Sequence, residues 1–403
     1  MSEAVSKSSM PGLEVMERPV SAGGRDRRPV IVHVGPLGEV PGGMAQVLHE
    51  YLAWSFPTLE VRCMASTLGR GHRWAIGRAL LCLVRIPLCL LSRRRHAFVV
   101  HLSSGGSFIR EGALVALAKL CRFPVAIHLH GSMFGSFAER RPRLVRTVLN
   151  LPDVIYVLSA EAERLVGEVT DPSARRPARV VKVANGVEIP DEPHGKEPVV
   201  LFAGEVGGRK GVDVLWKAWS AITAERPDWR LVVAGPVEPE IEALPTPPGV
   251  TVLGTVSREA VLNWETRSAI AVLPSRNEAL PMFLLESMAR GCAAVGTPVG
   301  EVAELLDGCG VVVPVDDGEG LAKALAVLMD DPVTASALGA AGRARVIETY
   351  SSTVLARMFE REWWALLDGR RRSPAPLGLA HLTDATRPAG PDDAVAGDRP
   401  QSC

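Results

Sequence analysis

Several chemistries lack their markers in this sequence. The seven cysteines (63, 82, 89, 121, 292, 309 and 403) are scattered and odd in number, and no Cys-x-x-Cys pair occurs. That spacing supports neither a thiolate zinc site nor a disulfide framework, and a reducing cytoplasm is the expected setting. No Gly-x-Gly-x-x-Gly follows the strand-like run that opens either half, which disfavours a nicotinamide-dependent oxidoreductase. No repeat of solenoid length is present. Met1 to Arg28 holds no apolar run, so no secretory signal is expected there. That Ser/Gly/Arg-rich stretch (1–28) and the Pro/Ala/Gly/Asp-rich end (370–403) are expected to be disordered tails.

A long uninterrupted apolar run is also missing. Trp74 to Ser92 approaches spanning length but carries Arg78, Arg85 and Pro87. Each Arg would cost roughly 3 kcal/mol at a bilayer centre, so a membrane span is not expected. Two readings remain, a core-facing helix pair or a patch lying on a membrane surface, and Arg93-Arg94-Arg95 directly after it favours the second.

With 403 residues, 47% of them hydrophobic and 22% charged, the chain is expected to form two soluble domains. Its net charge of zero conceals a segregation. Arg62 to Arg146 holds fifteen Lys/Arg against two acids, Glu111 and Glu139. One lobe is thus cationic and the remainder acidic, and a cationic lobe attracts phosphates, nucleic acid or anionic lipid.

Strand-like and helix-like runs alternate, the pattern of parallel sheets with crossover helices. Strands are expected at Val30–Val34, Phe98–Leu102, Val125–Leu129, Val154–Leu158 and Val180–Val183, with Ser159 as an N-cap for the helix after the fourth. Helices are expected at Met44–Ala53 and Arg110–Cys121. After a Pro-rich break the pattern restarts with Val199–Ala203, a helix from Gly211, and strands at Leu231–Ala234, Val250–Leu253, Ile270–Leu273 and Ala293–Val295. Past Asp331 the chain reads as helical to about Leu367. The fold class is α/β, two doubly wound Rossmann-like domains facing across a cleft. The expected boundaries are 29–189 for the first domain, 190–198 for a linker, 199–345 for the second and 346–369 for a terminal helix; the family resemblance given below implies that the first is the acceptor side, that the second binds the donor and that the helix crosses back to the first. Ligands of such sheets bind at the carboxyl ends of strands.

The turn after Ile270–Leu273 is the most informative. Pro274 to Ala293 is a polar loop and then a helix starting near Pro281 and ending at Gly291. Glu278 and Glu286 bracket this turn with seven residues between them. Free N–H groups at a helix start suit a phosphate. Carboxylates beside it would repel that phosphate, so they should face hydroxyls, for which an ionised carboxylate is a pure acceptor. The spacing points to a nucleotide-sugar site.

In order, Pro41-Gly42-Gly43-Met44, His128-Leu129-His130-Gly131-Ser132, Asn185-Gly186-Val187-Glu188, Gly204 to Gly211, the Glu-x7-Glu turn and Gly300-Glu301-Val302-Ala303-Glu304 resemble the retaining glycosyltransferases of the GT4 family (group 1), whose fold is the two-lobed GT-B fold. The resemblance covers roughly Arg28 to Asp368. It implies that Glu286 binds the ribose hydroxyls of a nucleotide-diphosphate sugar and that Glu278 bonds a hydroxyl of the donor sugar, beside the amides of Ala279, Leu280, Pro281 and Met282 (Pro281 itself having none to offer). Gly42 and Gly43 would approach the diphosphate from across the cleft. His130 would lie at the catalytic face. His128 is expected on the opposite side of its strand, in a structural role. The usual family Arg of the phosphate loop is replaced by Glu205, which leaves Lys210 and Arg209 to contact the pyrophosphate. Glu304 is a further candidate near the nucleotide.

Enzymes of the alternative glycosyltransferase architecture stabilise the leaving diphosphate with a metal held by Asp-x-Asp. That motif is absent here, so metal-independent chemistry and no cofactor are expected. The resemblance implies transfer of a hexose to a glycan, a lipid-linked or a small-molecule acceptor, as in cell-surface polysaccharide synthesis. The cationic lobe would meet the inner face of the cell membrane, and nucleic acid is not expected as a partner. The alternatives are a nucleotide-sugar epimerase of the same fold and a non-catalytic nucleotide-sugar binder.

Overall fold

The computed structural model describes residues 28–37, 43–67, 75–130, 134–170, 177–191 and 195–369. The expected tails lie outside these residues, Arg28 excepted, as does Gly42 of the first Gly-rich loop.

The first lobe is built on a parallel sheet of β1 (Val30–Pro36), β2 (Glu60–Thr67), β3 (His96–Leu102), β4 (Val125–Leu129), β5 (Val154–Val157) and β6 (Arg179–Lys182), in the order β2-β1-β3-β4-β5-β6. The second sheet joins β7 (Glu197–Ala203), β8 (Arg230–Ala234), β9 (Val250–Gly254), β10 (Ser268–Leu273), β11 (Ala293–Gly296) and β12 (Val311–Val312), in the order β12-β11-β10-β7-β8-β9. Both are doubly wound, with the strand order reversing beside β1 and beside β7. The carboxyl ends next to those reversals are where side chains from several strands converge.

Two strands escaped sequence reading. β2 (Glu-Val-Arg-Cys-Met-Ala-Ser-Thr) is a sheet edge whose residues are mostly half-exposed, so it lacks the apolar run of a central strand. β12 is two residues long. β7 begins at Glu197, inside the expected linker. The terminal helical stretch breaks at Ser351, separating the helix Pro332–Tyr350 from the helix Ser352–Leu367, so the segment returning to the first lobe starts at 352 rather than 346. Ser159 does cap the helix Ala160–Val169, its side chain accepting from the Ala162 amide.

Alternation in the first sheet sorts its side chains into two cores. Val30, Val32, Val34, Phe98, Val100, Leu102, Val125 and Ile127 face the helices of the first lobe. Ile31, Ala97, Val99 and Ala126 face the other way, into a core continuous with the second lobe and the helix Ser352–Leu367. His33, His101, His128 and His130 fall on this second parity. All four are buried. Above them lie Tyr51, Phe359 and Trp363; the Trp363 ring sits 5.0 Å from His33 and 5.0 Å from Phe56, centroid to centroid. Polar contacts fasten the edges of the same helix: Arg179 donates to Glu362 at 2.6 Å, the Trp364 indole N–H to Thr58 at 2.8 Å, and Arg95 to Asp368 at 3.0 Å.

The four rings shared this face for a reason the sequence reading got backwards for one of them. Residues two apart in a strand point to the same side, and the His128 ring is 4.2 Å from that of His130 rather than on the opposite face. Burial holds all four rings neutral: His33 and His130 are pushed down to about 3, and His101 and His128 well below the usual imidazole range.

Two outcomes follow from this packing. Trp363→Ala opens a cavity under the returning helix and should lower stability by about 3–5 kcal/mol, read by urea unfolding. Acid should also destabilise the fold. A depressed imidazole contributes stability that is complete above about pH 6.5 and is lost as the pH falls towards its folded value. Glu50 and Glu265, raised by burial, work in the opposite direction. Four imidazoles outweigh two carboxyls, so stability between about pH 6.5 and 4.5 should fall by about 1.4 kcal/mol per pH unit for each net proton taken up. A flat stability profile over that window would contradict the neutral cluster.

Candidate functional site

β10 is an apolar strand next to the reversal point of its sheet, and it delivers the chain into the loop Pro274–Pro281. The helix Met282–Ala289 follows; all eight of its residues are buried, so its N-terminus is fixed by packing on every side. Pro281 occupies the N-cap, and the helix is left through Gly291 at φ 77°. Gly300 at φ 56° brings a second loop against the turn: a Cβ there would lie 2.3 Å from the Ala279 carbonyl oxygen and 2.4 Å from that of Glu278. The Glu301 amide then donates to the Ala279 carbonyl at 2.8 Å.

The two carboxylates of the turn are each matched to a cation. Lys210 donates to Glu278 Oε1, and Ser275 Oγ donates to the same oxygen at 2.8 Å. Glu286 Oε1 accepts from Arg258 Nη2 at 2.7 Å and from Gln46 Nε2 at 2.6 Å. Arg258 also pairs with Glu50. The helix Gly43–Ala53 of the first lobe, which Gly43 opens, thereby reaches across the cleft through Gln46 and Glu50. Burial raises the Glu50 carboxyl, and the Arg258 guanidinium opposes that rise.

Lys210 closes the 3-10 turn Gly208–Lys210 at the end of the loop after β7, and its aliphatic stem passes over Gly204. Arg209 is turned to Glu205, donating at 2.8 Å, and to the Asn277 carbonyl at 3.4 Å. It thus lies against the Glu278 loop, with Glu205 as its ion-pair partner. The cation that locks these two loops together is Arg276, which sequence reading missed: it forks onto Asp213 at 2.7 and 2.8 Å, donates to Asp316 at 2.7 Å and bonds the Gly208 carbonyl. Gly211, at φ 70°, lets the turn sit on Pro274, whose carbonyl oxygen would be 1.9 Å from an added Cβ.

A second set of contacts closes the cleft beside the turn. Lys182 of β6 pairs with Glu301 at 2.6 Å and with Glu304 at 3.2 Å. Glu301 also accepts from the Ala160 amide at 2.7 Å, which places it on the N-terminus of a first-lobe helix and, with Lys182, holds its carboxyl below the usual range despite its burial. Glu304 is engaged with Lys182 at the lobe junction. The Asn185 side chain donates to the Leu280 carbonyl at 3.3 Å. Between these contacts a pocket opens, lined by Leu129, Phe134, Ser159 and Glu161 of the first lobe and by Glu278 and Ala279 of the second.

His130 directly follows Leu129 of that pocket. Its Nε2 lies 2.8 Å from His101 Nδ1, and His101 Nε2 lies 2.8 Å from His33 Nδ1. His101, His128 and His130 each bring one ring nitrogen to within 4.8 Å of the others, the one group among the described residues that could gather a metal. The group contains no carboxylate to offset a divalent charge, and two of its nitrogens already bond each other. One signal could have revealed the set: β1, β3 and β4 each carry a His at the same parity, in mid-strand in β1 and one residue before the carboxyl end in β3 and β4. Gln46 and Arg258, which bond Glu286, and Glu50, which pairs with Arg258, left no comparable trace, because they come together from distant segments.

Comparison with known proteins finds relatives for the lobe that carries this turn. Residues 197–331, the lobe that carries the Glu278–Glu286 turn, match the family described as glycosyl transferases group 1. The chain is 34% identical over 143 residues to alpha-D-kanosaminyltransferase of Streptomyces kanamyceticus, a match covering 34% of this chain and 37% of that protein. It is 31% identical over 170 residues to a GDP-mannose-dependent monoacylated alpha-(1-6)-phosphatidylinositol monomannoside mannosyltransferase of Corynebacterium glutamicum, covering 39% of this chain and 45% of that one. The chain thus spans less than half the length of these two curated relatives. HepE of Anabaena, solved in complex with UDP and glucose, superposes with a TM-score of 0.65 at 12% identity, over 84% of this chain and all of that one. The fold is therefore the GT-B fold, and its second lobe, over residues 197–331, is similar to the group 1 glycosyl transferases.

Proposed function

We propose that this protein is a retaining, metal-independent glycosyltransferase that moves a sugar from a nucleotide-diphosphate sugar to a glycan, a lipid-linked or a small-molecule acceptor. The observation that carries the reading is the turn itself, in which Glu278 and Glu286 flank a packed helix N-terminus and Lys210 stands beside them. Ribose hydroxyls would exchange with Gln46 and Arg258 at Glu286, and a sugar hydroxyl would take over one of the bonds at Glu278. Lys210, released towards the diphosphate, and the N–H groups at the start of the helix Met282–Ala289 would stabilise the charge of the leaving group. Arg209 is the second cation of that loop. The acceptor would enter from the pocket beside Phe134 and Ser159. Its oxygen attacks the anomeric carbon on the face from which the phosphate departs, the anomeric C–O bond to phosphate breaks, and a leaving phosphate oxygen takes the acceptor proton.

The surface of the first lobe supports a membrane-associated role on the cytoplasmic side. The apolar stretch forms the helix Ala75–Leu88 and the 3-10 turn Cys89–Leu91. Cys82 and Ile86 face the core, whereas Leu80, Val84, Leu88 and Leu91 are 52–80% exposed. The neighbouring helix Gly106–Leu120 adds Ile109, Ala113, Ala116 and Leu120 along one exposed stripe. Arg85 and Arg93 are exposed beside this face. Among the described residues no single helix is long and apolar enough to cross a membrane. An apolar face with flanking guanidinium groups suits the surface of an anionic bilayer. A relative whose name places mannose on a phosphatidylinositol mannoside fits a lipid-linked acceptor.

Nucleoside diphosphates and their sugars, screened by thermal shift, should stabilise the protein, and transfer should proceed unchanged in EDTA. Lys210→Ala should lower the transfer rate by about 10²–10³-fold, comparable to loss of a charge-stabilising donor elsewhere. No stabilisation by any nucleotide sugar would overturn the reading. For the membrane, the protein should float with anionic phospholipid vesicles at low salt, and Leu80→Asn combined with Val84→Asn should leave it at the bottom of the gradient. Native protein that stays with the pellet fraction at low salt counts against the surface role.

A further inference from the structure

The histidines behind His130 have no part in the reaction as described, yet they form a continuous chain. His130 Nε2, His101 Nδ1 and Nε2, and His33 Nδ1 are linked by two bonds of 2.8 Å each. His33 Nε2, at the far end, is buried without a partner among the described residues. Exposure falls from 6% at His130 to 0% at His101 and 1% at His33, so His130 is the end nearest the cleft.

Neutral imidazole carries one N–H and one lone pair. His101 uses both nitrogens, so it must donate in one bond and accept in the other, and the two bonds therefore point the same way along the chain. Only two arrangements exist. In the first, His130 Nε2–H donates to His101, His101 donates to His33, and an N–H is left orphaned at His33 Nε2. In the second, His33 Nδ1–H donates to His101 Nε2, His101 Nδ1–H donates to His130 Nε2, and only a lone pair is left at His33 Nε2. An orphaned buried N–H is rarer than an under-used acceptor, so the second arrangement is favoured. His130 then carries its proton on Nδ1.

We propose that His33 and His101 are positioning residues that lock His130 as its Nδ1–H tautomer, making it an uncharged hydrogen-bond donor to an oxygen of the transferred sugar rather than a base. The step involves no proton transfer: His130 donates a hydrogen bond, and the acceptor proton still travels to the leaving phosphate. Burial of all three rings, with no carboxylate in contact among the described residues, agrees with rings that stay neutral at working pH. The role in transfer rests on the proposed function; the tautomer does not.

The test is ¹⁵N-detected histidine spectroscopy on the native chain, joined to kinetics of two variants. His130 should show a protonated Nδ1 and a bare Nε2 without change from about pH 5.5 to 8. His101→Asn keeps an amide N–H where Nδ1–H stood and should retain the transfer rate within about threefold. His101→Leu cannot donate and should lower kcat by about tenfold, the worth of one oriented hydrogen bond, with the donor KM little changed. Should His101→Leu fail to fold, the tautomer of the native protein still decides. An Nε2–H tautomer at His130, or a His101→Asn variant as impaired as His101→Leu, would overturn the proposal. So would stoichiometric shifts of His101, His128 and His130 on adding Zn²⁺ to the native chain, which would make the trio a metal site. If no nucleotide sugar binds while the Nδ1–H tautomer is observed, the relay stands and the transfer reading falls.

Discussion

Two carboxylates cannot be buried in one turn without a cation for each, and the architecture of the second lobe follows from that requirement. Glu278 and Glu286 are each less than a tenth exposed at the side chain. Removing the partner of such a group costs about 3–5 kcal/mol. Lys210 reaches Glu278 from the loop after β7, and Arg258 reaches Glu286 from the helix Arg258–Arg267 that follows β9. The ends of β7 and β9 are thus tied by charge to the turn after β10. Arg276 adds the third tie, since its contacts to Asp213, Asp316 and Gly208 hold the loop that presents Lys210.

The same requirement couples the site to the relative position of the lobes. Glu286 and Arg258 engage Gln46 and Glu50, which belong to the first lobe. Any group that competes for Glu286 therefore competes with a contact across the cleft. Lys182 with Glu301 forms a separate bridge farther along, and the returning helix Ser352–Leu367 forms a third that is mainly apolar. The first bridge can exchange with hydroxyls, whereas the helix cannot, because its ring contacts are buried. A hinge around the helix, with the carboxylate bridge as the part that yields, is the arrangement these strengths favour.

Much of the scaffold was legible because central parallel strands are apolar on both faces, as Val199–Ala203 and Ile270–Leu273 show. β2 was not, because an edge strand with half-exposed Glu60, Arg62 and Cys63 reads as loop. The Glu-x7-Glu turn was legible because its chemistry is compressed into consecutive residues. Its counter-charges were not: Arg258 and Gln46 are set by tertiary packing, and nothing in their neighbourhoods signals a carboxylate partner. Acids and bases were expected to divide the substrate between them, hydroxyls to one and phosphate to the other. The structure pairs them directly, Lys210 on Glu278, because their burial demands it. His128 was misplaced by a simple parity error, and that error hid the shared face on which His33, His101 and His130 also stand.

That shared face sets the two sides of the cleft apart. The second lobe meets the cleft with full charges, Lys210, Glu278, Arg258 and Glu286. Around His130 the first lobe meets it with imidazoles held neutral by burial, although its sequence is the strongly basic half of the chain; its charged cleft residues Glu50 and Lys182 are paired with Arg258 and Glu301. Two of its exposed guanidinium groups, Arg85 and Arg93, stand instead beside the apolar stripe. On the proposed function, a donor carrying two phosphates would find Lys210 on one side and, around His130 on the other, an uncharged surface that would orient a sugar without competing for the phosphates. Cationic residues at the His130 position would draw the diphosphate away from Lys210. On that reading a His130 ring held neutral by its burial would leave the diphosphate to the second lobe and the sugar to the interface between them.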